Sequence, residues 1–150
     1  MKQVTIYTDG ACDPNPGVGG WAAILIHDGH EREISGGDSE STNNRMELTA
    51  VIEALRALKE KCDVTIFTDS EYVKNAFTQK WIDGWIKKGW KTASRQPVKN
   101  QDLWRTLIDL VNGHQVKWEW VRGHADDPLN NRCDELAVQA RLAVARNMKR

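Results

Sequence analysis

Val4-Thr5-Ile6-Tyr7-Thr8-Asp9-Gly10 returns almost unchanged as Val64-Thr65-Ile66-Phe67-Thr68-Asp69-Ser70, so one chain writes the same apolar run ending in aspartate twice. Each run is rich in β-branched and aromatic residues, is bounded by turn residues and carries no charge before its aspartate. That is how a strand inside a sheet reads. The pattern predicts two strands whose aspartates sit at equivalent strand ends. If the strands are parallel neighbours, both carboxylates emerge at one sheet edge, where open α/β sheets place their ligands. Either run alone is also what a strand followed by a Thr-Asp turn looks like, so the other acids must decide.

Between the runs, residues 12–20 are turn-rich, Trp21–Ile26 reads as a second strand, Asp28-Gly29 as a hairpin turn, and Glu31–Gly36 as a third, weaker strand. From Asn44 to about Lys59, Leu48, Val51, Ile52, Leu55 and Leu58 recur at helical spacing and lead into the second aspartate-bearing run. Strand, helix and strand in that order form a βαβ unit, for which parallel pairing is the default. Further helices are predicted over 71–78, 81–88, 100–111 and 130–146, with a last strand at Val116–Val121. The sum is an α/β fold: a mixed five-stranded sheet, strands 1–3 an antiparallel meander and strands 1, 4 and 5 parallel, with helices packed on it.

The 150 residues suit one domain able to bury a real core. Cys12, Cys62 and Cys133 are odd in number and show no Cys-x-x-Cys spacing, which argues against a disulfide framework or a zinc site and for the cytoplasm. No leader-like segment or stretch long and apolar enough for a membrane span is evident. The zero net charge hides a division: residues 1–79 carry 7 Lys+Arg against 13 Asp+Glu, and residues 80–150 carry 14 against 8. A chain that gathers carboxylates in one place and meets a polyanion with another would be divided in this way.

Glu47 falls beside Val51 and Leu58, at the margin of the buried helical stripe, and Asp134 follows inward-facing Cys133 near the start of the last helix. A capping box from Asn44 to Glu47 or compensation of a helix dipole by Asp134 would explain each acid separately. Taken with Asp9 and Asp69, they argue for a metal site. Two carboxylates about 4 Å apart repel by about 4 kcal/mol at an effective dielectric of 20, so a cluster of four needs divalent ions. Oxygen-only ligation selects Mg²⁺, with Mn²⁺ able to substitute, and paired ions of this kind serve phosphodiester chemistry. No Gly-x-x-x-x-Gly-Lys motif points to nucleotide hydrolysis instead. His124, in the loop before the last helix, is either a surface residue or a proton carrier beside the metal site.

Trp81, Trp85, Trp90 and Trp104 share a stretch with Lys80, Lys87, Lys88, Lys91, Arg95, Lys99 and Arg105, opposed by Asp83 and Asp102. Basic residues interleaved with aromatics suit a nucleic-acid surface, although Trp81 and Trp85, one helical turn apart, also suit a core.

Tyr-Thr-Asp-Gly at 7–10, Thr-Asn-Asn-Arg-Met-Glu-Leu at 42–48, Thr-Asp-Ser at 68–70, Gly-Trp-Lys-Thr at 89–92, Pro-Val-Lys-Asn at 97–100 and Gly-His-Ala…Asn-Arg-Cys-Asp-Glu-Leu-Ala at 123–137 closely resemble bacterial ribonuclease HI, of the type 1 ribonuclease H family, over nearly the whole chain. The resemblance implies a monomeric endonuclease that cuts the RNA strand of RNA/DNA hybrids, such as primers and R-loops, by a two-metal-ion mechanism, leaving 5′-phosphate and 3′-hydroxyl ends. It implies a single catalytic domain over 1–150 with a basic protrusion at about 81–99. Asp9, Glu47, Asp69 and Asp134 would hold the metal, with His124 assisting. Cys12, Asn15, Asn43 and Asn44 would line the minor groove, where 2′-hydroxyls mark RNA. Thr42 and Asn100 would hold a DNA-strand phosphate, Trp81 and Trp104 would contact the DNA strand, and Lys87, Lys88 and Lys91 would grip the hybrid from the protrusion. Glu71, also a substrate-binding position, stands where relatives commonly carry glutamine, which counts against its hydrogen-bond donation to the minor groove; Glu40 stands close to the presumed phosphate pocket, where a basic residue is familiar, so a weaker grip on the DNA strand is expected. The alternatives are a DNA-acting nuclease or integrase of the same fold and a hybrid-binding module without catalysis.

Overall fold

The runs that open the sequence become neighbouring parallel strands with no shift in register. In the computed structural model, which describes residues 1–121 and 127–148, β1 (Lys2–Cys12) pairs with β4 (Cys62–Thr68) from Lys2 opposite Cys62 to Tyr7 opposite Phe67. The sequence repeat is therefore the ladder itself, each residue facing its own counterpart. Val4, Ile6, Val64 and Ile66 turn to one face and are buried, while Tyr7 and Phe67 stack on the other with centroids 4.6 Å apart. Such cross-strand pairs are a unit of sheet stabilisation.

β2 (Gly17–His27) and β3 (His30–Ser41) complete the meander, and β5 (Gln115–Trp120) adds to β4 in parallel, giving the order β3-β2-β1-β4-β5. The crossover helix α1 (Asn43–Arg56) lays Leu48, Val51, Ile52 and Leu55 on the sheet, and α2 (Glu71–Thr78), α3 (Trp81–Lys87) and α4 (Gln101–Asn112) extend that cluster. Each of these fully buried aliphatic side chains is worth about 1.5–3 kcal/mol relative to exposure. The other face of β1, β2 and β3 is covered by α5 (Pro128–Met148). Gly20 permits that packing: a Cβ there would lie 2.5 Å from the backbone nitrogen of Arg141.

Several boundaries differ from the sequence expectation. β2 starts at Gly17 rather than Trp21, and β3 continues to Ser41 rather than stopping at Gly36, because Gly19, Gly20 and Trp21 pair with Asp38, Gly37 and Gly36. Backbone pairing overrides the poor strand propensity of these residues. Asp9 is likewise inside a strand, not at its end: β1 runs on past the last residue paired to β4 because its other edge stays bonded to β2, with Asp9 opposite Ala22. Asp69 does stand just beyond β4. α1 stops at Arg56, three residues short of the expected end, whereas α5 starts two residues earlier, at Pro128. Glu47 and Asp134 thus sit in the second turns of their helices.

Candidate active site

Asp9, Asp69 and Glu47 meet because a strand, a strand end and a helix converge over the central parallel pair. Each offers a carboxylate oxygen, and the three lie within 4.8 Å of one another. Gly10 lets α1 close over β1, since a Cβ there would come within 2.5 Å of the Met46–Glu47 backbone. Its N–H donates to Asp9 Oδ1 (2.9 Å) and to Glu47 Oε1 (3.0 Å), tying the two acids to one amide. The capping explanation for Glu47 fails: Thr42 caps α1, its hydroxyl accepting from Arg45 N–H at 3.2 Å. Glu47 Oε2 is closed off from solvent and has no hydrogen-bond partner among the described residues.

The electrostatics are those of a site lacking positive charge. Burial, with the Asp69 charge next, pushes the Asp9 carboxyl up to about 8; the neighbouring Glu47 carboxyl opposes the rise and Asp134 adds to it. Glu47 is raised well above the usual carboxylate range by burial first and then by Asp9 and Asp69. Asp69 is raised by burial, with Asp134 contributing. Asp9 and Glu47 therefore titrate as a pair. A divalent cation would supply the positive charge that lets both ionise. Oxygen-only donors, one of them sealed and unpartnered, fit a hard divalent ion.

These acids open into a cleft of about 680 Å³ lined also by Cys12, Asp13, Asn43, Asn44, Glu71, Tyr72, Asp134, Val138 and Arg141. Asp134 is exposed and lies outside the tight triad, and its carboxyl adds to the rise at Asp9. Asn15 stands beside the cleft, its Oδ1 accepting from Asn43 N–H at 3.2 Å. The Cys12 thiol turns inward to the carbonyls of Pro14, Gly17 and Ser41, so its contribution to the lining is a wall rather than a free S–H. His124 lies outside the described residues. Asp127 spends Oδ1 on the Leu129 and Asn130 amides at the start of α5.

Across the cleft, Arg45 joins the two residues expected at a phosphate. Its backbone N–H bonds Thr42, while its guanidinium donates to Asn100 Oδ1 (3.3 Å) and forms a fork with Asp102. Asn100, held at φ 61°, donates to the Tyr72 hydroxyl, which also accepts from Trp104 Nε1 at 2.9 Å.

Trp104 requires a correction. It is fully buried and packs edge-on against Tyr72 and against Trp85, so it offers no face to a nucleic-acid strand. Trp81, Trp85 and Trp90 continue the ladder outward half-buried, with the Arg105 guanidinium 4.8 Å from the Trp90 ring centre. The tryptophans thus form the spine of the protrusion. Lys87, Lys88 and Lys91 are exposed on it, the last two bordering a shallow depression with Arg95.

The model of the RNase H family matches residues 1–141. The chain belongs to the ribonuclease H family. It is 59% identical to the ribonuclease H of Novosphingobium aromaticivorans over 96% of this chain and 100% of that one, and 59% identical to the ribonuclease HI of Pseudomonas aeruginosa over 91% of each. Among solved structures it is similar to LC9-RNase H1, described as a type 1 RNase H with the type 2 active-site motif, at 33% identity and a TM-score of 0.84 over 95% of this chain and 74% of that one. The chain is accordingly a hydrolase of the ribonuclease H kind, and its acidic triad could bind a metal. Among the residues to which the sequence assigned no site role are Arg45, at the expected phosphate position, and Tyr72, Val138 and Arg141, which line the cleft. Only the last two carried a signal, their spacing of four and seven residues from Asp134 on one helix.

Proposed function

We propose that this ribonuclease H cuts the RNA strand of RNA/DNA hybrids in the carboxylate cleft, leaving 5′-phosphate and 3′-hydroxyl ends. Asp9, Glu47, Asp69 and Asp134 would hold two Mg²⁺ ions, with Mn²⁺ able to replace them. One observation carries the reading: three buried or half-buried carboxylates within 4.8 Å, one with a sealed and unpartnered oxygen. When bound there, divalent ions activate water and offset charge on the leaving oxygen.

The chain's own residues do the rest. Gly10 N–H orients Asp9 and Glu47 before substrate arrives. Asn43 and Asn44, exposed beside the carboxylates, and Glu71 offer polar groups to 2′-hydroxyls, with Cys12 and Asn15 shaping that wall. Thr42 and Asn100, held through Arg45, would receive a DNA-strand phosphate. Trp81 and Lys87, Lys88 and Lys91 would grip the hybrid from the 81–99 protrusion, and His124 would carry a proton at the cleft. We take the protein to act as a monomer, one catalytic domain over 1–150, in the cytoplasm; its three cysteines are buried and unpaired, as suits a reducing compartment.

The test incubates labelled RNA/DNA hybrid, DNA duplex and RNA duplex with Mg²⁺, using wild type and Asp69→Asn. Hybrid-only cleavage that the variant loses is the expected result. Cleavage of the DNA duplex would point to a DNA-acting relative, binding without cleavage to a hybrid-binding module, and undiminished activity in Asp69→Asn would remove the carboxylates from the chemistry.

A further inference from the structure

The cleft is lined by six acids, Asp9, Asp13, Glu47, Asp69, Glu71 and Asp134, and, among the described residues, by a single cationic side chain, Arg141. Metal ligation accounts for four of these acids and leaves Arg141 without a role. Asp134, Val138 and Arg141 follow one another at i, i+4 and i+7 on α5 and all line the cleft, so one helical face carries both a metal ligand and a guanidinium. At about 1.5 Å per residue their Cα atoms stand roughly 10 Å apart along the axis. The base of Arg141 is fixed, because Gly20 holds the α5 backbone directly against β2 at this residue.

Arg141 differs from the arginines of α1 and α5 that are held in ion pairs. Arg45 pairs with Asp102, Arg56 with Glu53 and Arg132 with Glu33. Arg141 is half-buried, yet no carboxylate or hydrogen-bond acceptor holds its guanidinium among the described residues. A partly desolvated cation kept without a partner is poised for an anion. Arg141 lines the cleft with Cys12 and Asp13, and its charge is felt by the Cys12 thiol, which sets it on that side of the cleft. Its backbone stands two helical turns from that of Asp134, which favours a neighbouring phosphate over the one held above the carboxylates.

We propose that Arg141 binds a backbone phosphate of the RNA strand, a neighbour of the scissile one on the Cys12 side, and so fixes the register of that strand across the carboxylates. The planar fork of a guanidinium suits a phosphate bidentately. Val138 lies between it and Asp134 and places no further acid on that path. The assignment rests on the hybrid-cleaving reading above, and makes Arg141 a substrate-binding residue.

The experiment compares wild type, Arg141→Gln and Arg141→Lys in steady-state cleavage of a labelled hybrid across a salt series, with thermal unfolding as a folding control. Each is also assayed on hybrids carrying a single neutral 2′-deoxy methylphosphonate linkage, stepped along the RNA strand and then along the DNA strand. Arg141→Gln should raise KM about fivefold, leave kcat within about twofold and lower the salt slope by the equivalent of about one neutralised phosphate. Arg141→Lys should keep the slope and show a smaller rise in KM. One RNA-strand linkage should weaken the wild type several-fold and cost Arg141→Gln nothing further. If the Gln variant does not fold, the Lys variant and the wild-type linkage scan still decide. Unchanged KM and slope in a variant that cuts hybrid, no sensitive RNA-strand linkage, or a sensitive linkage on the DNA strand instead would each overturn the assignment. Failure of the wild type to cut hybrid at all strikes the proposed function instead.

Discussion

The carboxylate cleft and the tryptophan-backed protrusion concentrate opposite charges on one molecule and hold them in opposite ways. In the cleft, like charges are forced together on rigid elements, largely desolvated at Asp9 and Glu47, which share one amide, so the acids work against the stability of the metal-free chain. On the protrusion, Lys87, Lys88 and Lys91 stand in solvent, where repulsion is screened, and rest on a spine of tilted, packed indoles that is itself uncharged. Altering the cleft should therefore change chemistry and pH behaviour, altering the spine should change folding, and altering the lysines should change affinity and salt response.

The largest separation is expected in catalysis. Glu47→Gln keeps the size of the side chain and the bond from Gly10 N–H but removes the charge a divalent ion requires; single-turnover cleavage of hybrid should fall on the order of 10³-fold or more, with binding of the hybrid nearly unchanged. A variant within tenfold of wild type would mean that the buried triad is structural. Trp104→Ala should act in the contrary sense, costing about 3–5 kcal/mol of stability by denaturant unfolding because it empties the junction of α4, Tyr72 and the ladder. A stable Trp104→Ala with weakened hybrid binding would restore the tryptophan to the substrate.

How far each region could be read in the sequence follows the same divide. The repeat ending in Asp9 and Asp69 was legible because parallel pairing in register preserves it residue for residue. The βαβ crossover over Leu48–Leu55 was legible because helical periodicity survives burial on one face. What was not legible depended on partners remote in sequence. Asp9 lies within β1 only because β2 continues the ladder, and the long β3 exists only because glycines of β2 accept it. An indole in a basic stretch looks the same whether it faces solvent or Tyr72, so Trp104 was placed on the substrate. Arg45 is adjacent to the Asn43-Asn44 motif, but its ties to Asn100 and Asp102 cross more than fifty residues and leave no local trace.

The next effect is a pH dependence confined to the cleft. Asp9 has its carboxyl raised from 3.8 to about 8, so between those values the metal-free folded state binds more protons than the unfolded chain. Stability on this account is highest below about pH 4 and declines as pH rises toward 8. Asp9→Asn removes the group that must ionise; at pH 8 without metal it should be more stable than wild type by on the order of 1–3 kcal/mol, about 2–4 °C in Tm per kcal/mol. The difference should shrink at pH 5 and also on adding Mg²⁺, which stabilises the wild-type folded state by binding it. Equal pH dependence of Tm in both proteins would show that Asp9 does not bear the strain.

The smallest effect belongs to the protrusion. Replacing Lys87, Lys88 and Lys91 together by glutamine leaves the indole spine and the carboxylates untouched, since all three side chains are exposed. Stability should stay within about 0.5 kcal/mol, as expected of surface substitutions. The hybrid KM should rise several-fold at moderate salt, and the slope of its logarithm against the logarithm of salt concentration should fall by up to about 0.9 for each phosphate no longer neutralised, converging on wild type at high salt. kcat should hold, because these charges are remote from the triad. A fall in kcat with unchanged KM would mean that the protrusion aligns the scissile bond rather than capturing the duplex, and the separation between a cleft that does chemistry and a surface that supplies grip would have to be abandoned.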